Sequence, residues 1–236
     1  MRFTTRFALA IVAVSVVGQA HAQDATWDFG GNVALTSDYV FRGVSQNDED
    51  PALQAGLELT HVPSGLYGAI WGSNVDFGDD IGSNAEIDFV LGWGHPFNED
   101  LALDVNISRY TYPGTNDEFD LDYNELIGTL TWHENYWLLV GWSNDVFASD
   151  EAGTYVQVGG KWPFADAWRF EALGAYYFLD DDAYASDYSH AQLSLVYACK
   201  QVELRLSGHF TDDDAQELFG DRLADSRAEL AVNFAF

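Results

Sequence analysis

The sequence predicts an all-β chain: a transmembrane antiparallel β-barrel of about 12 strands, with short periplasmic turns and long acidic external loops. Three observations carry this. Apolar residues recur with period 2 along the chain, the spacing of half-buried strands rather than of helices. The connections between the alternating segments are short and long by turns. The acidic residues, 38 against 10 basic ones, gather in the long connections, although aromatics make up 15% of the chain. A disordered acidic chain has few aromatics, so charge and apolar surface are segregated here.

The chain starts MRFTTR, continues FALAIVAVSVVGQ and reaches Ala20-His21-Ala22. A basic start, a short apolar run and an A-x-A site predict a secretory signal peptide over 1–22. The barrel then occupies 23–236, with 8 basic residues and a formal charge of −30. Nucleic acid and anionic membrane surfaces are poor partners for that charge. No later apolar stretch reaches the ~18 residues of a spanning helix. Cys199 is the single cysteine, so no internal disulfide forms.

Strands are predicted near 28–42, 52–61, 65–75, 85–95, 100–111, 121–132, 136–144, 153–162, 168–178, 188–199, 201–210 and 226–236. Over 28–42, Asn32, Thr36, Asp38 and Arg42 share one face. In 53–61, Leu53, Leu57 and Leu59 oppose Gln54, Glu58 and Thr60. In 85–93, Ile87, Phe89, Leu91 and Trp93 oppose Glu86 and Asp88. In 101–108, Leu101, Leu103, Val105 and Ile107 oppose Asp104, Asn106 and Ser108. In 202–210, Val202, Leu204, Leu206 and Phe210 oppose Glu203, Arg205, Ser207 and His209. The remaining segments read the same way. Gly92 and Gly94, like Gly159 and Gly160, mark close backbone approach in strands; no helix follows them, which argues against a phosphate loop.

The short connections are VPSG (62–65), HPFNED (95–100), HEN (133–135), PFADA (163–167) and a turn at Lys200. The long ones are SQNDEDP (45–51), DFGDDIGSN (76–84), PGTNDEFD (113–120), DVFASDEA (145–152), DDDAYASD (180–187) and TDDDAQELFGDRLAD (211–225). Outer-membrane barrels show this interleaving, and only helices and closed barrels satisfy their backbone in lipid. Trp93, Trp132, Trp137, Trp162 and Trp168 beside short turns, and Tyr39, Phe41, Tyr110 and Tyr112 toward long ones, are expected to form interfacial belts. A soluble sandwich or lipocalin-like barrel would need an oversized apolar core for twelve such strands. The last segment, AELAVNFAF, alternates through Leu230, Val232, Phe234 and Phe236. It resembles the C-terminal signal read by the bacterial barrel assembly machinery.

The stretch GNVALTSDYVFRGVSQNDEDPALQAGLEL (31–59) carries Ser37-Asp38-Tyr39, Arg42-Gly43, Gln46, Pro51, Gln54 and Gly56. With GLYGAIWGSNVDF (65–77) and EIDFVLGW (86–93), it resembles the TorF-type porin family, or Gcw-type family of conserved hypothetical outer-membrane proteins. The resemblance is specific over about 31–95, implies a porin fold and supplies no catalytic residues.

Strand parity predicts the charges that line the lumen: acids Asp38, Glu58, Glu86, Asp88, Asp104, Glu125, Glu171, Glu203 and Glu229, and bases Arg42, Lys161, Arg169, Arg205 and Arg227. A lipid-facing Arg or Lys costs ~2–4 kcal/mol at the midplane, which favours the inward face. Arg169 with Glu171, Glu203 with Arg205, and Arg227 with Glu229 are two apart and suit bracing ion networks. For Asp38 and Arg42 the alternative is a register-fixing role near the first external loop, with Gly43 permitting a tight turn. Acid excess predicts cation preference. Asp180 to Asp182 and Asp212 to Asp214 lack the spacing of a helix–loop–helix calcium site; they read as solvated loops, or as ligands for divalent ions bridging to lipopolysaccharide.

No G-x-S-x-G elbow occurs, no Cys/His cluster suggests zinc, and a pairing of His209 with Ser194 is weak grounds for catalysis. The expectation is a porin-like channel for small, preferably cationic solutes, in contact with outer-membrane lipid and lipopolysaccharide, with no cofactor and no metal. A single chain of this size closes its own barrel, so a monomer is expected. The alternative is a non-conducting structural or adhesive barrel; an outer-membrane enzyme is a third reading with less behind it.

Overall fold

A computed structural model describes residues 26–180 and 186–236. The expected signal peptide, and Asp181 and Asp182, lie outside the described residues. The elements are β1 (Trp27–Thr36), β2 (Val40–Phe41), β3 (Val44–Ser45), β4 (Ala52–His61), β5 (Leu66–Asn74), β6 (Ala85–Pro96), β7 (Leu101–Thr111), β8 (Tyr123–Trp132), β9 (Tyr136–Ser143), β10 (Gly153–Ala165), β11 (Trp168–Leu179), β12 (Tyr188–Cys199), β13 (Val202–Thr211), α1 (Asp213–Phe219), α2 (Asp221–Ala224) and β14 (Arg227–Ala235). A single 3-10 turn spans Val146–Ala148. Among the described residues no helix is long and apolar enough to cross a membrane, which says nothing of strands.

Strand β1 and strands β4 to β14 form one closed antiparallel barrel, each bonded to its neighbour along the chain. The ring closes where β1 meets β14, from Asn32 opposite Ala235 to Thr36 opposite Ala231. Phe236 extends the seam: its N–H donates to Gly31 O at 2.9 Å, and Gly31 N–H donates to Phe236 O at 3.0 Å. With no open edge, every wall strand has partners on both sides.

The alternation sorts side chains to two surfaces. Leu53, Leu91, Ile107, Leu206, Leu230 and Phe234 are exposed on the outside, while Gln54, Glu86, Asp104, Glu203, Arg205 and Glu229 are buried within. This inverts a soluble barrel, where the apolar face points inward. So large an exposed apolar surface is stable where the surrounding medium is itself apolar.

Three expectations change. The strand expected over 28–42 stops at Thr36, so Asp38 and Arg42 do not stand on the wall. The chain folds inward as a small hairpin, with Val40 opposite Ser45 and Phe41 opposite Val44. Its tip is Arg42 (φ 49°) and Gly43 (φ 88°), left-handed conformations that end any strand. The connection over 211–225 holds α1 and α2 rather than a bare loop. The Asp212 carboxylate caps α1 by accepting from Ala215 N–H at 3.1 Å, and Ala215 and Ala224 pack with Val44, Val146, Tyr177 and Tyr188. Finally, Tyr39 and Tyr110 are 2% exposed, and Phe41, Tyr112 and Trp137 pack against the buried clusters, so these five lie inside and not in an interfacial belt.

The marked glycines do mark close approach. A Cβ on Gly159 would sit 2.1 Å from the Trp137 ring, and one on Gly92 would sit 2.2 Å from the Tyr67 ring. At the short turn after β4, Gly65 combines a φ of +74° with a Cβ position 2.0 Å from Gly94 O. Gly78 has φ +85° but nothing within 4 Å. Gly78→Val is therefore expected to cost the backbone penalty of about 1–2 kcal/mol, and Gly65→Val clearly more. Urea unfolding followed by tryptophan fluorescence checks this; equal losses would contradict the close approach at Gly65.

Candidate functional site: the lumen beneath an inward hairpin

The hairpin tip carries Arg42 into the barrel. Its Nη2 lies 2.7 Å from Glu125 Oε2 on β8, with side chains 7% and 1% exposed. Its Nη1 donates to the Tyr177 hydroxyl at 3.0 Å. The guanidinium lies 4.1 Å from the Tyr155 ring centroid and 4.8 Å from that of Phe41, a desolvated cation–π arrangement. Tyr188 OH donates to Arg42 O at 3.2 Å, and Tyr110 OH to Glu125 Oε2 at 3.0 Å.

The stem is tied down as well. Asp38 Oδ1 accepts from Ser45 Oγ at 2.7 Å, and Oδ2 pairs with Arg227 Nη1 at 3.0 Å. Tyr39 N–H donates to Asn47 Oδ1 at 2.9 Å. Gln46 N–H donates to Tyr39 O at 2.7 Å, and Asp76 N–H to Gln46 O at 2.9 Å. Segment 37–51 is thus a packed plug at the long-loop end. Around it Tyr110, Tyr123, Tyr177 and Tyr188 are almost fully buried.

Nearer the short turns, four residues on β11 and β13 form a ring of ion pairs. Arg169 Nε is 2.5 Å from Glu171 Oε1 and its Nη2 is 2.6 Å from Glu203 Oε2. Arg205 Nη1 is 2.8 Å from Glu171 Oε2 and its Nη2 is 3.2 Å from Glu203 Oε1. Glu229 joins a separate chain, accepting from Thr36 Oγ1 at 2.7 Å and bonding His209 Nε2 at 2.8 Å. The structure thus joins Arg227 to Asp38 rather than to its strand neighbour Glu229.

A second group of acids has no such partners. Asp104 accepts from Tyr67 OH at 2.9 Å and from Asn106 at 3.1 Å. Glu86 Oε1 accepts from Tyr112 OH at 3.2 Å. Asp104 Oδ2, Glu86 Oε2 and both Asp88 oxygens are buried with no hydrogen-bond partner among the described residues. Burial first, and the nearby Glu86 and Asp88 carboxylates second, push the Tyr39 and Tyr112 phenols well above their ordinary range. Both phenols therefore stay neutral donors.

Glu58 and Lys161 are half-buried. Glu58 accepts from Thr60 Oγ1 at 3.0 Å, and Lys161 stands opposite Glu171 in register. Leu230, Val232, Phe234 and Phe236 all face outward. His209 does not meet Ser194: Ser194 bonds Ser207 at 2.9 Å instead. Among the described residues no three His, Cys, Asp or Glu side chains group to hold a metal. Sequence reasoning missed the buried tyrosines. Their parity was the available signal, since Tyr110 follows Asp104, Asn106 and Ser108 on one face, and Tyr123 precedes Glu125.

A profile of the family described as "Bacterial protein of unknown function (Gcw_chp)" matches residues 20–234. This upholds the Gcw-type resemblance and extends it far beyond 31–95; the name TorF is not part of that description. No curated protein matches the chain. Among solved structures, a KdgM porin aligns with TM-score 0.55 at 9% identity, covering 88% of this chain and 99% of its own. A NanC porin aligns with TM-score 0.55 at 10% identity, covering 89% and 99%. A second KdgM structure, described as in complex with disordered oligogalacturonate, aligns with TM-score 0.54 at 8% identity, covering 88% and 98%. At such identities the likeness is one of fold: a 12-strand porin barrel.

Removing one partner of a buried ion pair typically costs about 3–5 kcal/mol, while replacing both with apolar groups is close to neutral. Arg42→Met is expected to lower unfolding free energy by about that range, and adding Glu125→Leu to recover most of it. Denaturant titration of the refolded variants measures both. A double variant no more stable than the single one would contradict a dry, tightly held pair.

Proposed function

The chain belongs to this family of bacterial proteins, and from its barrel we propose that it is a porin-like channel of the outer membrane, cation-preferring and open to small solutes, whose resting lumen is constricted by segment 37–51. The observation that carries the reading is the sorting of charge inside the wall. Arg42, Arg169, Arg205 and Arg227 are each bound to a carboxylate, whereas Glu86, Asp88 and Asp104 form no ion pair among the described residues. Those four arginines are neutralised by carboxylates, whereas Asp104 on β7 is held only by the neutral Tyr67 and Asn106 side chains. Rings of acidic groups select cations.

The porin fold of the aligned structures supports a passage role over a catalytic one. The apolar outer wall suits lipid contact, and its single-chain closure suits a monomer. In this reading residues 1–22 direct export, and the strand bearing Leu230, Val232, Phe234 and Phe236 is recognised by the barrel assembly machinery. The acidic external loops attract counter-ions, divalent ions bridging to lipopolysaccharide among them.

The filled upper lumen favours one rival, a structural barrel that does not conduct. Planar-bilayer recording under a salt gradient separates the two. Wild type is expected to give small steps, with the dilute side turning positive as cations cross. Arg42→Ala, verified as folded, is expected to raise conductance, and Asp104→Asn to lower selectivity. Anion selectivity would refute the charge argument, and silence in both wild type and Arg42→Ala would establish the structural barrel.

A further inference from the structure

We propose that Glu86 and Asp88, roofed by Tyr39 and flanked by Tyr112, hold one compact metal cation through oxygen donors, a resident ion beneath the inward hairpin. This goes beyond the channel reading and does not rest on it, since a barrel that conducts nothing could hold the ion equally well.

Glu86 and Asp88 lie two apart on β6 and share its inner face, so their Cα atoms are roughly 6.6 Å apart. Asp88 is 0% exposed and Glu86 3%. Both oxygens of Asp88 and Oε2 of Glu86 lack any hydrogen-bond partner among the described residues. The remaining Glu86 oxygen is on the Tyr112 hydroxyl at 3.2 Å, and Tyr112 packs against the buried cluster that contains Tyr39. In register, Asp88 faces Trp71 on β5 and Tyr110 on β7. The closest cationic anchor of the hairpin, Arg42, is engaged by Glu125 and Tyr177.

Two adjacent carboxylates out of water, one with no partner among the described residues, cost several kcal/mol each unless a proton or a cation neutralises them. Among the described residues no cationic side chain pairs with either. The compensating species must be small, because Tyr39, Trp71, Val75 and Val90 pack into one buried cluster beside it, with the Tyr39 and Trp71 rings 5.4 Å apart. An organic ammonium would have to displace that packing. Hard cations take carboxylates, singly or bidentate, with neutral oxygens completing the shell. With no third acidic or imidazole side chain in the group among the described residues, the neutral donors are the Tyr39 and Tyr112 hydroxyls and water. Two carboxylates call for two positive charges, so calcium is the complementary ion; sodium would leave one charge uncompensated.

The test is equilibrium binding to detergent-refolded, chelator-stripped protein at neutral pH, titrated first with Ca²⁺ and separately with Na⁺. Calorimetry and tryptophan fluorescence give the readout, since Trp71 faces Asp88 in register. The proposal expects one saturable Ca²⁺ site and a raised unfolding temperature. Asp88→Asn and Glu86→Gln should each weaken that site by ~10–100-fold or more, while Asp213→Asn in α1, which is exposed, leaves it intact. Saturable binding of Na⁺ alone, lost in the same two variants, keeps the site and makes its ion monovalent. Binding unchanged in both variants would assign it to the acidic loops and overturn the proposal. So would an infrared band of a protonated carboxyl that disappears in Asp88→Asn and is indifferent to either ion.

Discussion

The upper half of this barrel depends on one ion pair, Arg42 with Glu125. A twelve-strand ring satisfies its own backbone, but its interior would otherwise be a wet tube lined by polar side chains. Arg42 turns part of it into packed protein. Its guanidinium bridges Glu125 and Tyr177, lies over Tyr155, and holds the carbonyl side of its own turn against Tyr188. A lysine in this place could supply the charge but not the flat, forked surface that both stacks and donates. The hairpin then places Tyr39 against Trp71 and Val44 in the cluster with Ala215 of α1 and Ala224 of α2. Loop, wall and external cap thus become one structure.

The charges inside the wall fall into two kinds with different physical consequences. Near the short turns, the four members of the Arg169–Glu171–Arg205–Glu203 ring satisfy each other and brace β11 against β13. Across the barrel on β6 and β7, acids outnumber bases; phenols and an amide hold Glu86 and Asp104, and Asp88 has no hydrogen-bond partner among the described residues. The bracing ring makes the wall stiff; the unbalanced acids make the interior negative. The proposed ion occupancy draws on Glu86 and Asp88, and the proposed selectivity on the negative charge that remains, Asp104 included.

Much of the fold was legible because period 2 is a local signal and lipid inverts its meaning. Val202 to Phe210 shows the alternation outright, and the order of short and long connections carries the topology. The parity of Glu171, Glu203 and Arg205 even placed the ring on one face. Arg42 was not legible in the same way. Parity runs unbroken from Asn32 through Thr36 and Asp38 to Arg42, so the segment reads as one strand. The wall strand stops at Thr36 and the chain then reverses at a left-handed arginine followed by a left-handed glycine, and an arginine gives no local warning of positive φ. The partner that stabilises the turn is 83 residues away. Tyr39 failed as a belt residue for the same reason, since its depth depends on a hairpin that only the tertiary structure reveals, whereas Tyr110 shares the inner face of β7 with Asp104, Asn106 and Ser108 and could have been placed by parity. The helices in 211–225 are short, and their capping Asp212 sits in an acid run that reads first as a solvated loop.

The central claim is that segment 37–51 rests inside the barrel, and disulfide trapping tests it most directly. A Cβ added at Gly43 would stand 2.8 Å from His190 Cβ on β12, closer than the range of about 3.5–4.5 Å that a disulfide spans, so a tip seated in the lumen has only to ease outward by about 1 Å for the bond to close. The measurement is mild oxidation of folded protein carrying Gly43→Cys and His190→Cys in a Cys199→Ser background. Rapid intramolecular cross-linking in lipid is the predicted result. Thiols that stay free in a correctly folded barrel would mean that the hairpin lies outside the lumen, and the account built on Arg42 would fail.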